Sequence, residues 1–194
     1  VLSGASTGND TALGFEIFVA TNYADTITGS SDDNTIEGRD GDDTIDPGLG
    51  SNRVDGGDNE DTVSFASILA ESVFVDLSND LGGGEFAADL SGDRSILLNF
   101  ENVTGTQNAD TLYGDAGVNT LDGGDGNDVL RGGAGNDYLA GGNGQDVADY
   151  STSGSPIIVT LGAGTILDGL GGTDTVDSIE GIIGTSGNDQ IYGN

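Results

Sequence analysis

The sequence predicts an all-β protein made of tandem parallel β-rolls with β-rich capping segments. Three observations lead to this expectation. Residues 123–149 read as three consecutive nonamers of the pattern G-G-x-G-x-D-x-U-x, in which U is apolar. An apolar residue recurs at every ninth position through 20–64 and again through 105–149. Glycine accounts for 36 of the 194 residues, which calls for a special backbone rather than an ordinary core.

Each nonamer is expected to form a tight turn followed by a short strand. Glycines at positions 1, 2 and 4 permit positive φ and close approach of neighbouring backbones. The residue at position 8 then points inward from the strand. One nonamer is therefore half a coil, and successive coils stack at roughly 4.8 Å, the usual strand spacing. Loops that are two nonamers apart lie on the same side of the roll.

The chain divides into alternating rolls and caps under this interpretation. The second cap repeats the first in shortened form, since Ile157, Val159 and Leu161 alternate as an earlier apolar set does. Phe65 and Phe100 are expected to cover the open end of the first roll. The predicted boundaries are 1–19 for the tail of a preceding cap, 20–64 for the first β-roll, 65–104 for a cap, 105–149 for the second β-roll, 150–183 for a cap, and 184–194 for the start of a third, truncated roll.

The inward residues of both rolls follow from the nonamer register. The first roll offers an unbroken β-branched column, which suits a narrow interior. Ile45 and Leu130 lie in the middle of each roll and should be core residues. The inward set is Ile27, Ile36, Ile45, Val54 and Val63 in the first roll, and Leu112, Leu121, Leu130, Leu139 and Ala148 in the second.

Position 6 of each nonamer carries the candidate metal ligands. Its carboxylate or amide oxygen lies beside a loop rich in free carbonyls, and a flexible cage of oxygen ligands favours Ca²⁺ over Mg²⁺. The position-6 set is Asp25, Asn34, Asp43, Asn52, Asp61, Asp110, Asn119, Asp128, Asp137 and Asp146. Loop residues at positions 1 and 3 of the central nonamers are counted with them: Gly123, Asp125, Gly132, Ala134, Gly141 and Asn143.

Same-side loops predict how the ligands are shared. Each site should take the position-6 side chains of nonamers n and n+2, which allows three pairs in each roll and several Ca²⁺ ions, roughly four to six in all. Asp43 and Asp128 then each serve two sites. The Asn34–Asn52 pair should be the weakest site, because calcium affinity rises with the number of charged ligands.

The nonamers resemble the RTX (hemolysin-type) calcium-binding repeat of secreted bacterial proteins. The resemblance implies type I secretion, with an exporter as the partner in transit and an extracellular or cell-surface destination. It also implies that the chain folds only when it meets external calcium. The specific part of the resemblance is the nonamers, whereas the caps are a weaker signal.

Composition excludes several classes of partner and chemistry. The net charge is −30, with four basic and 34 acidic residues, so nucleic acid and anionic membrane surfaces should repel the chain. There is no Cys and no His, which rules out disulfides, thiol chemistry and a Ser-His-Asp triad. No apolar run approaches the ~18 residues that a membrane span requires, and no signal peptide is visible.

These observations favour a calcium-binding structural module, without enzymatic activity, within a larger extracellular bacterial protein. Two alternatives remain open. The chain can be a ligand-binding or extension module of an adhesin, or a non-catalytic appendage of a secreted hydrolase or epimerase. The sequence leaves the oligomeric state open.

Overall fold

The computed structural model describes residues 9–11, 16–78, 85–89 and 92–192, and within these ranges it is almost entirely β-structure. Two sheets of 11 and 10 strands, sheet one and sheet two, form the body of the molecule, and a two-stranded sheet lies among the loops. One short 3₁₀ helix spans Leu161–Ala163. No helix in the described ranges is both long and apolar enough to cross a membrane. The all-β prediction is confirmed.

Sheet one contains Asn9–Thr11 (β1), Thr26–Ser30 (β3), Thr44–Gly48 (β5), Thr62–Ser64 (β7), Asn102–Thr104 (β11), Thr120–Asp122 (β13), Tyr138–Ala140 (β16), Ile158–Thr160 (β19), Thr165–Leu167 (β20), Thr173–Asp177 (β21) and Gln190–Tyr192 (β23). Sheet two contains Ile17–Val19 (β2), Thr35–Asp40 (β4), Arg53–Asp58 (β6), Val73–Asp76 (β8), Glu85–Asp89 (β9), Arg94–Leu98 (β10), Thr111–Tyr113 (β12), Val129–Arg131 (β15), Val147–Asp149 (β18) and Gly181–Ile183 (β22). The small sheet pairs Asp125–Gly126 (β14) with Asn143–Gly144 (β17).

The chain alternates between the two large sheets, so each nonamer supplies half a coil. Strands of successive coils pair in parallel with a shift of 18 residues, as between Ile27 and Ile45 and between Leu112 and Leu130. The coil of two nonamers that the sequence predicts is therefore confirmed.

The core is one cluster of apolar side chains that both sheets contribute between them. Ile45 and Leu130 are both fully buried, with 0% exposure, so their prediction as core residues is confirmed. All ten predicted inward residues belong to this core, which also contains Phe65 and Phe100. Because the strands are short, each coil contributes few apolar groups, and the stability of the fold depends on continuous stacking.

Two antiparallel excursions interrupt the regular coil. The first insertion, β8–β10, places three strands in sheet two between β6 and β12, while sheet one passes directly from β7 to β11. The second insertion, β19–β21, does the same in sheet one between β16 and β23, while β18 pairs directly with β22 in sheet two.

Each insertion covers the end of one roll and also pairs with the first strand of the next, so the apolar core continues through it. The division into rolls and caps at the stated residues stays a prediction. Several of its segments also contain residues outside the described ranges, namely 1–8, 12–15, 79–84, 90–91 and 193–194.

Candidate metal sites

The position-6 side chains lie where the tight turn of each nonamer enters its strand. All ten are buried, with exposures between 0% and 4%. In six of them, one oxygen accepts a hydrogen bond from the backbone N–H of the position-6 residue one coil earlier; the six are Asp43, Asn52, Asp61, Asp128, Asp137 and Asp146. Asp43 Oδ1 accepts from Asp25 N at 2.8 Å, and Asp128 Oδ1 accepts from Asp110 N at 2.7 Å. Position-6 residues of nonamers n and n+2 are thus in direct contact in both rolls, and the sharing of an ion between their side chains stays a prediction.

The second carboxylate oxygen has no hydrogen-bond partner in six of these residues. The six are Asp25, Asp43, Asp61, Asp128, Asp137 and Asp146. No arginine in the described part of the chain pairs with any of them. A buried carboxylate oxygen without a partner costs several kcal/mol or more, so these side chains require either a proton or a cation.

The glycine at position 1 leaves room for the unpartnered oxygen. A Cβ on Gly123 would lie 2.3 Å from Asp128 Oδ2 and 2.8 Å from the carbonyl oxygen of Gly141, in the next coil. Gly38 has the same surroundings, with Asp43 Oδ2 at 2.3 Å from its Cβ position. Only glycine fits there, because any side chain would displace the oxygens. Position 1 thus places a carboxylate oxygen and a carbonyl oxygen beside the same small space.

The asparagine loops satisfy their own oxygens. The side-chain Nδ2 of Asn52 donates to the carbonyl oxygens of Gly48, Leu49 and Gly50, at 3.5, 3.2 and 3.1 Å. Its Oδ1 accepts from Asn34 N at 2.8 Å. The amide N–H₂ group of Asn52 therefore occupies the space between the loop carbonyl oxygens, where the aspartate loops have a free carboxylate oxygen. That the Asn34–Asn52 pair is the weakest site stays a prediction.

Asn34, Asn119 and Asp110 are satisfied in related ways. The Nδ2 of Asn34 donates to the hydroxyl of Ser30 and the carbonyl of Asp32, and that of Asn119 donates to the carbonyl of Glu101. Asp110 differs from the other aspartates because both of its oxygens accept hydrogen bonds, from Val73 and Thr106. These three positions offer no free charged oxygen.

Burial has a direct electrostatic effect on the aspartates. Loss of solvation raises the pKa of Asp128 from 3.8 to about 7, although the hydrogen bond from Asp110 N opposes the shift. Burial likewise raises the pKa of Asp61 and Asp137 to about 7 and that of Asp43 to about 6. Near neutral pH these groups therefore hold a proton weakly, and a divalent cation has only that proton to displace.

The six additional loop residues are distributed over both faces of the turn. Gly123, Gly132 and Gly141 are buried, Ala134 is partly buried, and Asp125 and Asn143 are exposed. The side chain of Asn143 donates to Asp125 Oδ1 at 2.8 Å, and these two residues pair as β14 and β17. Their involvement with a metal stays a prediction.

Sequence reasoning missed the acidic residues that the insertions place in the same register. Glu101 Oε2 accepts from Asp61 N, and Glu180 Oε2 accepts from Asp146 N, both at 2.8 Å. Asp174 Oδ1 accepts from Asp137 N at 3.0 Å. These residues extend the ligand files, the series of stacked side chains that accept from a position-6 N–H, beyond the two rolls. The count of three ion-binding pairs in each roll stays a prediction. The available signals were the strand that directly follows Glu101 and Glu180 and the glycine-rich stretch 169–172 before Asp174.

The donor set fits calcium. It consists of carboxylate, amide and carbonyl oxygens, and Ca²⁺ is a hard cation that prefers oxygen ligands in a flexible geometry. Within the described ranges, no group of three or more acidic side chains is arranged to hold a metal by itself. A bound ion must therefore take backbone carbonyls as well as the free Asp oxygens.

Comparison with known proteins agrees with this donor set. The family model of the RTX calcium-binding nonapeptide repeat matches in four copies, at residues 19–54, 100–129, 113–148 and 182–194. No curated protein sequence matches the chain. Among solved structures, it is similar to the extracellular lipase LipA from Serratia marcescens, with a TM-score of 0.39 and 15% identity over 88% of this chain and 40% of the lipase. The chain thus spans less than half of that protein.

The four repeat matches cover half of the chain, and they include five of the six position-6 aspartates that have an unpartnered oxygen, all except Asp61. The chain therefore belongs to the family of proteins with RTX calcium-binding nonapeptide repeats.

Proposed function

We propose that the chain is a calcium-dependent folding module of a larger secreted bacterial protein. In low calcium its charge opposes compaction, and in external calcium the ions bind the loop oxygens and the coils stack. This order of events suits type I export, in which an unfolded chain threads the exporter and folds outside the cell. The supporting observation is the set of six buried position-6 aspartates with an oxygen that has no partner.

Charge supports the same proposal. The net charge of −30 is concentrated in loops that stack one coil above another, so like charges approach each other in the folded state. Metal binding restricted to the folded state adds its binding free energy to stability. Several ions, roughly four to six, would neutralise the negative charge of the stacked position-6 aspartates along the two sides of each roll.

We further propose that the module itself is non-catalytic. A chain without His or Cys has neither the commonest general base nor a thiol nucleophile. The buried aspartates are engaged by the backbone of the neighbouring coil, which suits ligation rather than proton transfer to a substrate. Any activity of the parent protein would then reside in other segments.

Circular dichroism tests the proposed function. We expect a mostly disordered far-UV spectrum in chelator at pH 8 and a β spectrum in millimolar Ca²⁺, with Mg²⁺ at the same concentration as the control. Equilibrium dialysis with ⁴⁵Ca²⁺ then counts the bound ions. A β spectrum in chelator that calcium does not change would contradict the proposal, as would a folded chain that binds no calcium.

A further inference from the structure

Asp168 is a buried acidic residue outside the nonamer pattern. It follows β20 and begins the turn that leads to β21 in the second insertion. Its exposure is 0%. Its Oδ1 accepts hydrogen bonds from the backbone N–H groups of Leu170, Gly171 and Gly172, at 2.8, 2.9 and 2.9 Å. These three bonds explain why an acceptor stands at the start of the turn.

The second oxygen of Asp168 has no such explanation. Asp168 Oδ2 is buried and has no hydrogen-bond partner. The turn needs only one acceptor, which the neutral side chain of Asn would supply. A buried charged oxygen that is left over destabilises the fold unless a proton or a cation neutralises it.

Other oxygens surround the same place. A Cβ on Gly172 would lie 1.5 Å from the carbonyl oxygen of Gly135 and 2.9 Å from Asp168 Oδ2, so both oxygens border the same glycine. Gly135 belongs to the loop that ends at Asp137, whose own Oδ2 also lacks a partner. The Gly135 carbonyl oxygen and the free oxygen of Asp168 therefore lie beside the same glycine, and Asp137 with its own free oxygen is two residues from Gly135 in the same loop.

Electrostatics agrees with this proximity. The charges of Asp174 and Asp168 both raise the pKa of Asp137, in addition to its burial. Asp174 is already engaged, because its Oδ1 accepts from Asp137 N at 3.0 Å and its Oδ2 accepts from the hydroxyl of Tyr150 at 2.8 Å. No arginine in the described ranges pairs with Asp137, Asp168 or Asp174.

We propose that Asp168 and Asp137, through their unpartnered Oδ2 atoms and with the Gly135 carbonyl, bind a divalent cation of the calcium type. The site lies at the junction between the second roll and the second insertion, and Asp168 belongs to no nonamer. The inference rests on the proposed calcium-dependent function, since the same ion would be present. The bound ion would fasten the insertion to the last complete coil.

The variant Asp168→Asn tests the site. It keeps the acceptor for the three N–H groups and replaces only the free oxygen. In ⁴⁵Ca²⁺ equilibrium dialysis at pH 8, we expect it to bind one ion fewer than the wild type at saturation. Asp76→Asn is the matched control, because Asp76 is a buried aspartate in the first insertion whose Oδ1 accepts from Ser78 and neither of whose oxygens is among the buried atoms that lack a partner. The control should bind as many ions as the wild type.

A measurement on the wild-type chain keeps the inference testable if Asp168→Asn fails to fold. Crystals grown in calcium should show an anomalous peak at long wavelength about 2.4 Å from Asp168 Oδ2, the usual Ca²⁺–O distance. Peaks at the nonamer loops without one at Asp168 would overturn the site and leave the proposed function intact. Equal ion counts for the folded variant and the wild type would also overturn it. A wild-type chain that binds no calcium would overturn both.

Discussion

Replacement of Asp128 separates the hydrogen-bonding role of position 6 from its charge. Asp128 is fully buried, its Oδ1 accepts from Asp110 N at 2.7 Å, and its Oδ2 lacks a partner. Asp128→Asn keeps the acceptor and supplies an amide N–H₂ group in place of the free oxygen. Asn52 already uses that group to satisfy three loop carbonyls. Asp128→Ala removes both functions and leaves a buried N–H unsatisfied.

The expected effects of the two variants on the calcium-free fold differ in size. Burial raises the pKa of Asp128 to about 7, and one pKa unit corresponds to about 1.4 kcal/mol, so the ionised carboxylate disfavours the calcium-free fold by roughly 2–4 kcal/mol at pH 8. Asp128→Asn should relieve this cost. Asp128→Ala relieves it too but loses about 1–3 kcal/mol because Asp110 N no longer has an acceptor.

Circular dichroism measured in parallel on the wild type and both variants distinguishes these effects. In chelator at pH 8, the β signal of Asp128→Asn should exceed that of the wild type and that of Asp128→Ala. In calcium, both variants should bind fewer ions than the wild type, and Asp128→Ala should need the most calcium to fold. Glu37→Gln is the control, because Glu37 is an exposed carboxylate in β4 of the first roll. If Asp128→Asn is as disordered in chelator as Asp128→Ala, the amide does not replace the ion and the reasoning is refuted.

Three further predictions concern the ligand files, the core and pH. Glu101→Ala should raise the calcium concentration at the midpoint of folding, measured by CD, since Asp61 N loses its acceptor. Glu37→Ala, at an exposed site, should leave this midpoint unchanged. Equal midpoints for the two variants would contradict a role for Glu101. Leu130→Ala should lower the free energy of unfolding by about 2–4 kcal/mol, measured with urea in the presence of calcium. Val118→Ala, at a side chain that is 63% exposed, should lower it by less than about 0.5 kcal/mol. A small loss for Leu130→Ala would contradict its core position. In chelator, the β signal in CD should rise as pH falls from about 8 to about 5.5. The carboxyl groups of Asp61, Asp128 and Asp137, with pKa values near 7, stabilise the calcium-free fold when protonated and lose that effect as pH rises. A β signal that does not change with pH would contradict the pKa shifts.

The sequence predicted most of what repeats. An inward residue such as Leu130 and a buried candidate ligand such as Asp128 follow from the nonamer alone, because stacking of identical turns determines both burial and register. The 18-residue shift between paired strands follows in the same way.

What does not repeat was beyond prediction for a physical reason. The antiparallel pairing of β8 with β9 and of β9 with β10 joins residues without a common period, so only tertiary packing selects it. Glu101 precedes β11 without a glycine turn before it, and Asp174 lies in β21, which pairs antiparallel with β20 in the second insertion. Asp168 carries no local motif at all, and only its burial reveals it.

The alternating position of the two insertions has a consequence for longer chains. Each insertion puts three strands in one sheet where the regular coil has room for one, which lengthens that face by roughly 10 Å, two strand spacings. An array that always extended the same face would curl into an arc. Here the first insertion lengthens sheet two and the second lengthens sheet one, so the bend from the second insertion offsets the bend from the first. A tandem array with this alternation would run nearly straight, as a rod that spans distance efficiently and is stiffened wherever calcium binds.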